Sequence, residues 1–271
     1  FNQKDERFLK LKVALPFLSS KRLELGFGIA QIEDRYFQNN VIDFDKDKYD
    51  KSGYRLFGGS VSFNGSTLNS RQFPIQGARE ALVAQIFTGN ESFRPGVNSE
   101  NKKPVKEKHS WLQLSYMKEK YHKMGANWIL GWYLDAVYAS KNFSENYTAT
   151  MMQASEFAPT AHSKLTYNEA FRANQYVAAG IRPIYRLNQM FHVRGEFYGF
   201  LPIFPIERNS INKAYYGKAF SRFEYLGEIS VVCQLPFGAI SAYVNHYSSP
   251  RREWNVGLTL GWQLFNYRFI E

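Results

Sequence analysis

Apolar and polar residues alternate with a period of two along almost the whole chain. In the first such segment Leu9 and Leu11 alternate with Lys10 and Lys12. Successive side chains of a β-strand point to opposite faces, so this segment predicts a strand with one apolar face and one charged face. The pattern pauses for only a few residues near Ser20 and then resumes, which predicts a hairpin.

The same alternation predicts about eleven strands, each near the roughly 9–11 residues that a tilted strand needs to cross a bilayer. Apolar residues expected on one common face include Phe27, Phe57, Leu82, Leu114, Trp132, Ile181, Phe197, Ile229, Val244 and Leu258. No run of about 18 uncharged apolar residues occurs, which argues against a transmembrane helix. Helical periodicity is weak, and its best candidate is a short loop stretch from Tyr167 to Gln175.

The connections between the predicted strands alternate in length. Short turns are expected near Ser20, Lys123-Met124-Gly125, Asn188 and Pro236-Phe237-Gly238, long polar loops at 36–53, 88–107, 145–172 and 203–220, and a medium link at 64–77. Outer-membrane barrels have short periplasmic turns and long external loops. The pattern therefore predicts an all-β fold, a closed antiparallel transmembrane β-barrel of about 12 strands in a bacterial outer membrane.

The strand count also bears on domain organisation. Single-chain bacterial barrels usually have an even number of strands. Either one strand within the chain does not show in the pattern or one lies upstream of Phe1, and we expect the upstream strand. Residues 1–271 would then form a barrel domain at the C-terminal end of a longer protein. The alternative is a soluble β-sandwich or lipocalin-like barrel with the apolar faces turned inward. A small barrel cannot bury so many large aromatic side chains, although two packed sheets could.

Composition agrees with a barrel without deciding the matter. Aromatic residues make up 17% of the chain and charged residues 21%, as expected where only alternate strand residues face lipid. On a soluble domain the net charge of +10 would suggest binding to nucleic acid. In a barrel, the lysines and arginines line the lumen or contact anionic lipid head groups. We therefore expect outer-membrane lipids and lipopolysaccharide as partners, and no nucleic acid. The single Cys233 excludes an internal disulfide.

Two segments are similar to a known family. The segment Phe73-Pro74-Ile75-Gln76-Gly77, before a strand, resembles the Phe/Tyr-Pro-Thr-Arg-Gly turn of the bacterial surface antigen superfamily of barrels, with Ile75 and Gln76 in place of Thr and Arg. The closing residues 261–268 resemble the last strand of barrels attached to patatin-like phospholipases. The resemblance implies the barrel of a patatin-like outer-membrane protein, in which a lipid acyl hydrolase domain with a Ser-Asp dyad precedes the barrel.

The hydrolase motifs of that family are absent from this chain. The segment Gly58-Gly59-Ser60-Val61-Ser62 lacks the closing glycine of Gly-x-Ser-x-Gly and lies in a predicted strand, and no Asp-Gly pair occurs. The resemblance thus implies that this segment anchors an upstream hydrolase domain, with export of that domain as a further role. The alternative is a stand-alone porin-like channel. Assembly into a homo-oligomer is compatible with both interpretations.

Charged residues on the predicted lumen face argue for a filled interior. Those residues are Arg182, Arg186, Arg194, Glu196 and Glu228. Val193-Arg194-Gly195 resembles the Val-Arg-Gly loop motif of barrels that insert other barrels. Here it lies within a predicted strand, so we expect Arg194 to join a hydrogen-bonded network in the lumen.

The loop at 145–172 holds two apolar stretches, Met151-Met152-Gln153-Ala154 and Phe157-Ala158-Pro159-Thr160. Three arrangements are open for such a loop. It could fold into the lumen as a plug, pack on a partner domain, or pack only on neighbouring loops. The sequence pattern does not separate these alternatives.

A weaker catalytic hypothesis concerns His246-Tyr247-Ser248 and Asn255. The outer-membrane phospholipase A family uses a His-x-Ser pair with an Asn on the neighbouring strand, and a base beside a serine is the minimum for nucleophilic catalysis. Asn255 shares a face with Thr259, however, so it is expected to point to the lumen. The hypothesis requires Asn255 to reach His246.

The sequence predicts no metal or cofactor. Asp43, Asp45 and Asp47 are spaced like the first ligands of a calcium loop, but Lys48 and Tyr54 occupy the positions that need Gly and Glu. The five histidines are His109, His122, His162, His192 and His246, and none forms an i, i+4 pair. No glycine-rich phosphate loop is present.

Overall fold

The computed structural model describes residues 2–18, 20–38, 48–97, 99, 101–236, 238–249, 254–261 and 269–270. Some sequence-based expectations lie outside the described residues. They are the Asp43, Asp45 and Asp47 spacing, Phe237 of one predicted turn, and residues 262–268 of the closing segment.

The described chain is all-β apart from one short α-helix and two 3-10 turns. Its strands are β1 (Asn2–Leu18), β2 (Lys21–Tyr36), β3 (Asp50–Ser66), β4 (Gly77–Arg94), β5 (Val105–Lys123), β6 (Trp128–Ala139), β7 (Ser155–Glu156), β8 (Arg172–Ala173), β9 (Gln175–Arg186), β10 (Phe191–Pro202), β11 (Ile206–Arg208), β12 (Ala214–Tyr216), β13 (Glu224–Leu235), β14 (Gly238–Tyr247) and β15 (Trp254–Gly261). The helix α1 spans Tyr147–Gln153, and the 3-10 turns span Ser163–Leu165 and Glu169–Phe171. No helix in the described part of the chain is long and apolar enough to span a membrane.

Eleven strands form one antiparallel sheet in the order β1-β2-β3-β4-β5-β6-β9-β10-β13-β14-β15. Each long strand pairs with the next long strand along the chain, and β7-β8 and β11-β12 form two small separate sheets within the connections. Among the described residues β1 and β15 are the edges of the large sheet. The prediction of an all-β fold with eleven long antiparallel strands is confirmed.

The first five strands are longer than predicted, with 16 to 19 residues in place of about 9–11. The extra length is polar: Asp34 of β2, for example, is paired with Ser52 of β3. Strand pairing uses backbone groups, so a ladder continues past the end of its apolar row. The predicted loops at 36–53 and 88–107 are correspondingly shorter and lie between Tyr36 and Asp50 and between Arg94 and Val105.

The two faces of the sheet differ sharply in exposure. On one face, Leu11, Phe27 and Ile86 are 69%, 64% and 65% exposed. On the other, Gln85 and Arg194 are each 1% exposed. We call these the exposed face and the covered face. The predicted alternation of an apolar face with a polar face is confirmed, and the apolar face is the one left open.

The α-helix does not lie where the sequence favoured one. The stretch from Tyr167 to Gln175 holds only a 3-10 turn, β8 and the first residue of β9. The helix lies earlier, where Asn146 caps it by accepting a hydrogen bond from the amide of Ala149 at 2.9 Å. Burial of Met151 and Met152 stabilises this short helix. Its sequence has no helical periodicity from which it could be predicted.

Candidate functional site

One long connection lies across the covered face of the sheet. We call it the covering loop, residues 140–174 between β6 and β9; it contains α1, β7, β8 and both 3-10 turns. Its contacts decide how much of the covered face is left accessible.

The helical end of the covering loop is hydrogen-bonded to β2. Asn146 Nδ2 donates to the hydroxyl of Tyr36 at 2.7 Å. Gln153 Nε2 donates to Asp34 Oδ2 at 2.5 Å. These four side chains are buried, so each hydrogen bond replaces one that the group would make to water. The helix is therefore held at the long-connection end of the sheet, where β2 ends.

The other end of the loop is fixed to β13 and β14. Thr160 Oγ1 donates to Glu228 Oε2 at 3.0 Å, and His162 Nδ1 lies 2.7 Å from Glu228 Oε1. His162 Nε2 lies 3.2 Å from the hydroxyl of Ser241, and its ring stacks on Tyr243 with centroids 3.5 Å apart. All the polar atoms of this imidazole are thus engaged by the sheet.

Ser241, His162 and Glu228 have the connectivity of a serine, base and carboxylate triad. Ser241 is only 1% exposed, and its hydroxyl also lies 2.5 Å from Thr259 Oγ1. A nucleophile needs access to substrate, which this buried serine lacks. The arrangement instead fastens the covering loop to the sheet. Sequence reasoning missed it, because 66 residues separate His162 from Glu228.

Aromatic rings fill the space between the loop and the sheet. Phe157 of the covering loop stacks on Phe200 of β10 at 5.5 Å, and Tyr176 and Tyr198 lie edge-on to it at 6.0 Å each. Phe171, near the C-terminal end of the loop, has its ring centroid 5.6 Å from that of Phe200. The loop therefore packs on the covered face of the sheet and not only on neighbouring loops.

Charged residues named from the sequence lie on the covered face. Arg182, Arg194, Glu196 and Glu228 are all buried there. Arg186 is half-buried at the end of β9, and its Nη2 donates to the carbonyl of Ala126 at 3.2 Å.

The buried arginines form one network with partners that the sequence did not reveal. Arg182 pairs with Glu119 and donates from Nε to the hydroxyl of Tyr198 at 2.6 Å. Arg194 pairs with Glu196 and donates from Nη2 to the hydroxyl of Tyr121 at 3.1 Å. The sequence did not identify Glu119 and Tyr121 as partners, because the sequence of β5 does not show which arginine lies opposite. Such a network satisfies charges that would otherwise be costly to bury.

The link between β3 and β4 carries the Phe73, Pro74 and Gly77 turn. Phe73 is 2% exposed and packs with Val232 and Ala239 of β13 and β14. The carbonyl of Pro74 accepts a hydrogen bond from Arg194 Nη1 at 2.9 Å. The link therefore folds over the covered face at its short-connection end.

Gly77 is the residue of this turn whose identity the backbone demands. Its φ is +94°, and a Cβ there would lie 2.1 Å from the carbonyl oxygen of Thr67. Neither the dihedral nor the space suits an L side chain.

The residues of the phospholipase A hypothesis are not joined to one another by hydrogen bonds. His246 is paired with Trp254 across β14 and β15, and the centroids of the two tilted rings lie 4.8 Å apart. Asn255 Nδ2 donates to Asn245 Oδ1 at 3.2 Å, on the covered face. Ser248 donates to the carboxylate of Glu224. Because Asn255 and His246 lie on opposite faces of the sheet, Asn255 does not reach His246 as the hypothesis requires.

One group of described residues could hold a divalent cation. Ligand atoms of Glu91, Glu107 and His109 all lie within 4.8 Å of one another, at the long-connection end of β4 and β5. Imidazole and carboxylate donors of this kind are typical of zinc sites. In this structure His109 Nε2 lies 2.8 Å from Glu91 Oε2, as in a hydrogen-bonded pair.

Lys141 begins the covering loop as a buried cation. Its Nζ lies 4.7 Å from the ring centroid of Trp111 and 3.5 Å from the carbonyl oxygen of Gln153. Burial, and after it the charge of Lys4, lower the pKa of Lys141 to about 7 against the opposing effect of Glu91 and Asp34. Its ammonium group therefore titrates near neutral pH.

A scan against protein-family models finds no match, and a search of curated proteins finds no significant match.

Proposed function

We propose that the eleven-stranded sheet belongs to a closed transmembrane β-barrel of about twelve strands in a bacterial outer membrane. Its interior is occupied by the covering loop. The barrel anchors an upstream patatin-like lipid acyl hydrolase domain and takes part in its export. The observation that carries the membrane assignment is the exposed face, which presents exposed apolar side chains on every long strand.

The exposed face is costly in water. Phe27, Ile86 and Leu258 are 64%, 65% and 74% exposed, and similar residues cover the neighbouring strands. Monomeric soluble proteins rarely expose apolar patches larger than a few hundred Å². Burial of apolar surface contributes about 25 cal/mol of free energy per Å². A face this broad is therefore more stable against an apolar environment than in water. The exposed apolar residues lie on one side of neighbouring strands of a single sheet. Contact of this side with lipid, on the wall of a barrel, accounts for that arrangement.

Three contacts support closure of the sheet. The covering loop bonds to Asp34 of β2 and to Glu228 of β13, which lie toward opposite edges of the sheet. Phe73, between β3 and β4, packs on Val232 of β13. Phe269, beyond β15, has its ring centroid 6.2 Å from that of Phe8 in β1. A flat sheet could not bring these pairs together, whereas a sheet curved into a barrel could.

The filled interior favours an anchor over an open pore. The covering loop, the Phe157 aromatic cluster and the Arg182 and Arg194 network occupy the covered face. An anchoring role needs an attached domain. The Phe73, Pro74 and Gly77 turn is one of two sequence features that suggest such a domain. This turn resembles that of bacterial surface antigen barrels, and residues 261–268 resemble the last strand of barrels attached to patatin-like phospholipases. Together these resemblances imply a patatin-like hydrolase upstream.

The membrane assignment is tested by folding the chain into outer-membrane lipid vesicles. We expect a folded, protease-resistant species that migrates differently from the heated protein on a denaturing gel. A chain that stays soluble and folded without lipid or detergent would contradict the barrel and support the β-sandwich.

The anchor is tested by intact mass and N-terminal sequencing of the protein in native outer membrane. We expect a species much larger than 31.5 kDa with lipid hydrolase activity that depends on an upstream serine. A native protein that begins near Phe1 and conducts ions in a planar bilayer would favour the channel instead. Deletion of residues 140–174 from the full protein should raise its conductance if the covering loop closes the barrel.

A further inference from the structure

Cationic side chains follow the apolar rows of β3, β4 and β5 on the exposed face. Along β5 the residues of this face change from Leu112 to Lys108 and Lys106 toward the long-connection end. Arg55 of β3 and Arg94 of β4 lie toward the same end of their strands. All four cationic residues are exposed. We call them the basic band.

Strand register places the basic band around two small polar residues. Asn90 of β4 is paired with Arg55 on one side and with Lys108 on the other. Ser92, the next residue of β4 on this face, is paired with Lys106. Neighbouring strands lie about 4.8 Å apart, so the backbones of Arg55 and Lys108 are roughly 10 Å apart across Asn90. The long cationic side chains therefore flank a shallow polar floor.

The exposed face of these strands supplies no matching negative charge beside the basic band. The structure describes β3, β4 and β5 completely, and the one carboxylate on this face of them is that of Glu80. Glu80 lies at the opposite, short-connection end, where it binds Lys118 at 3.2 Å. Glu107 lies between Lys106 and Lys108 in sequence, so its side chain belongs to the covered face. Cations grouped in this way attract an anionic partner.

The same end of the exposed face is aromatic on β13, β14 and β15. The residues there are Tyr225, His246 and Trp254, and the rings of Tyr225 and His246 have centroids 5.9 Å apart. Tyr225 and Trp254 are 46% and 71% exposed. The positive charge of the basic band is therefore a property of one sector of the sheet and not of its whole long-connection end.

We propose that the basic band binds the phosphate groups of lipopolysaccharide in the outer leaflet. This inference rests on the proposed function and deepens it, because long connections of an outer-membrane barrel are external. The band begins where the apolar rows of its strands end, which is the depth of the lipid head groups on a barrel wall. Lysines and arginines near a membrane surface are attracted to anionic lipids. Phosphate oxygens also accept charge-assisted hydrogen bonds from both side chains.

The experiment measures lipid binding to the full chain in a neutral detergent by native mass spectrometry. The probes are phosphorylated lipid A, the same lipid with its phosphates removed, and glycerol 3-phosphate. The test variant is Lys106→Gln with Lys108→Gln. Its matched control is Lys120→Gln with Lys123→Gln, which removes the same charge from the other end of the same strand. All four lysines are exposed.

We expect the wild-type chain to bind phosphorylated lipid A at least about tenfold more tightly than the dephosphorylated lipid. The test variant should bind phosphorylated lipid A about tenfold more weakly than the wild type, because two cationic contacts are lost. The control should bind as the wild type does. Equal binding of both lipids by the wild type, or equal weakening in both double variants, would overturn the proposal. Glycerol 3-phosphate that binds as tightly as phosphorylated lipid A would overturn the assignment to a lipid.

Folding is measured separately, so that failure of this inference differs from failure of the proposed function. Heat-modifiable migration on a gel shows whether each chain has folded in lipid vesicles. A wild-type chain that folds there but binds both lipids equally would remove the phosphate site and leave the barrel in place. A wild-type chain that does not fold in lipid would remove the barrel and the phosphate site together.

Discussion

His162 of the covering loop and Glu228 of β13 lie 2.7 Å apart, measured from Nδ1 to Oε1, although 66 residues separate them in the chain. Both side chains are only 1% exposed. The pair joins a buried part of the loop to the sheet, and Thr160 reinforces it by donating to the same carboxylate.

Removal of this carboxylate should loosen the covering loop. In Glu228→Ala, His162 Nδ1 and the hydroxyl of Thr160 lose their buried partner, at about 1–3 kcal/mol for each unsatisfied group. We expect a fall of roughly 3 kcal/mol in the free energy of unfolding, measured by urea titration in lipid vesicles. Glu107→Ala, at an exposed carboxylate of β5, is the control and should change stability by less than about 0.5 kcal/mol. Equal losses in both variants would mean that Glu228 does not hold the loop.

A charge on the exposed face tests whether lipid lies against it. Ile86, in the middle of β4, is 65% exposed, so in water Ile86→Arg would be nearly neutral. Against the centre of a bilayer the same change should cost about 2–4 kcal/mol. Val97→Arg is the matched control, because Val97 is 50% exposed but lies beyond the end of β4. Urea unfolding in vesicles should separate the two variants, and identical midpoints would contradict lipid contact at Ile86.

Substitution of Gly77 should destabilise the turn that folds over the covered face. In Gly77→Ala, a methyl group would meet the carbonyl oxygen of Thr67 at 2.1 Å, in a backbone conformation with φ +94°. We expect a loss of at least about 1–3 kcal/mol. In Gly125→Ala the new methyl group meets nothing within 4 Å, so that variant should behave as wild type. The comparison uses thermal unfolding in detergent, and a stable Gly77→Ala chain would refute the account of the turn.

Lys141 should make stability depend on pH. Its pKa is lowered to about 7 in the folded protein, against an ordinary 10.5. Between these values the unfolded chain binds more protons, so the contribution of Lys141 to the free energy of unfolding rises with pH. Below pH 7 the lysine is charged in both states and its burial cost is at its full value.

The variant Lys141→Met isolates this contribution from those of Asp34, Glu91 and Lys4 nearby. Its advantage over wild type in urea midpoint should be largest at pH 7 and should shrink toward pH 10. A difference that stays constant over that range would show that Lys141 does not titrate there.

The sequence by itself determined the strands and their two faces. The alternation around Leu11, Phe27 and Ile86 has a period of two, and this period is a local property of extended backbone. Side-chain burial could therefore be assigned along each strand without knowledge of its neighbours. The strand ends could not be predicted in the same way. The polar end of β2 near Asp34 is held by backbone pairing with β3, which does not depend on apolar side chains.

Only the tertiary structure decided what fills the covered face. The pairing of His162 with Glu228, of Glu119 with Arg182 and of Phe157 with Phe200 each joins residues more than 40 positions apart. Each pairing depends on strand register and on the path of the covering loop. The α-helix at Tyr147–Gln153 arises in the same way. Buried loops and charge clusters are fixed by the sum of distant contacts, and no single stretch of sequence contains that sum.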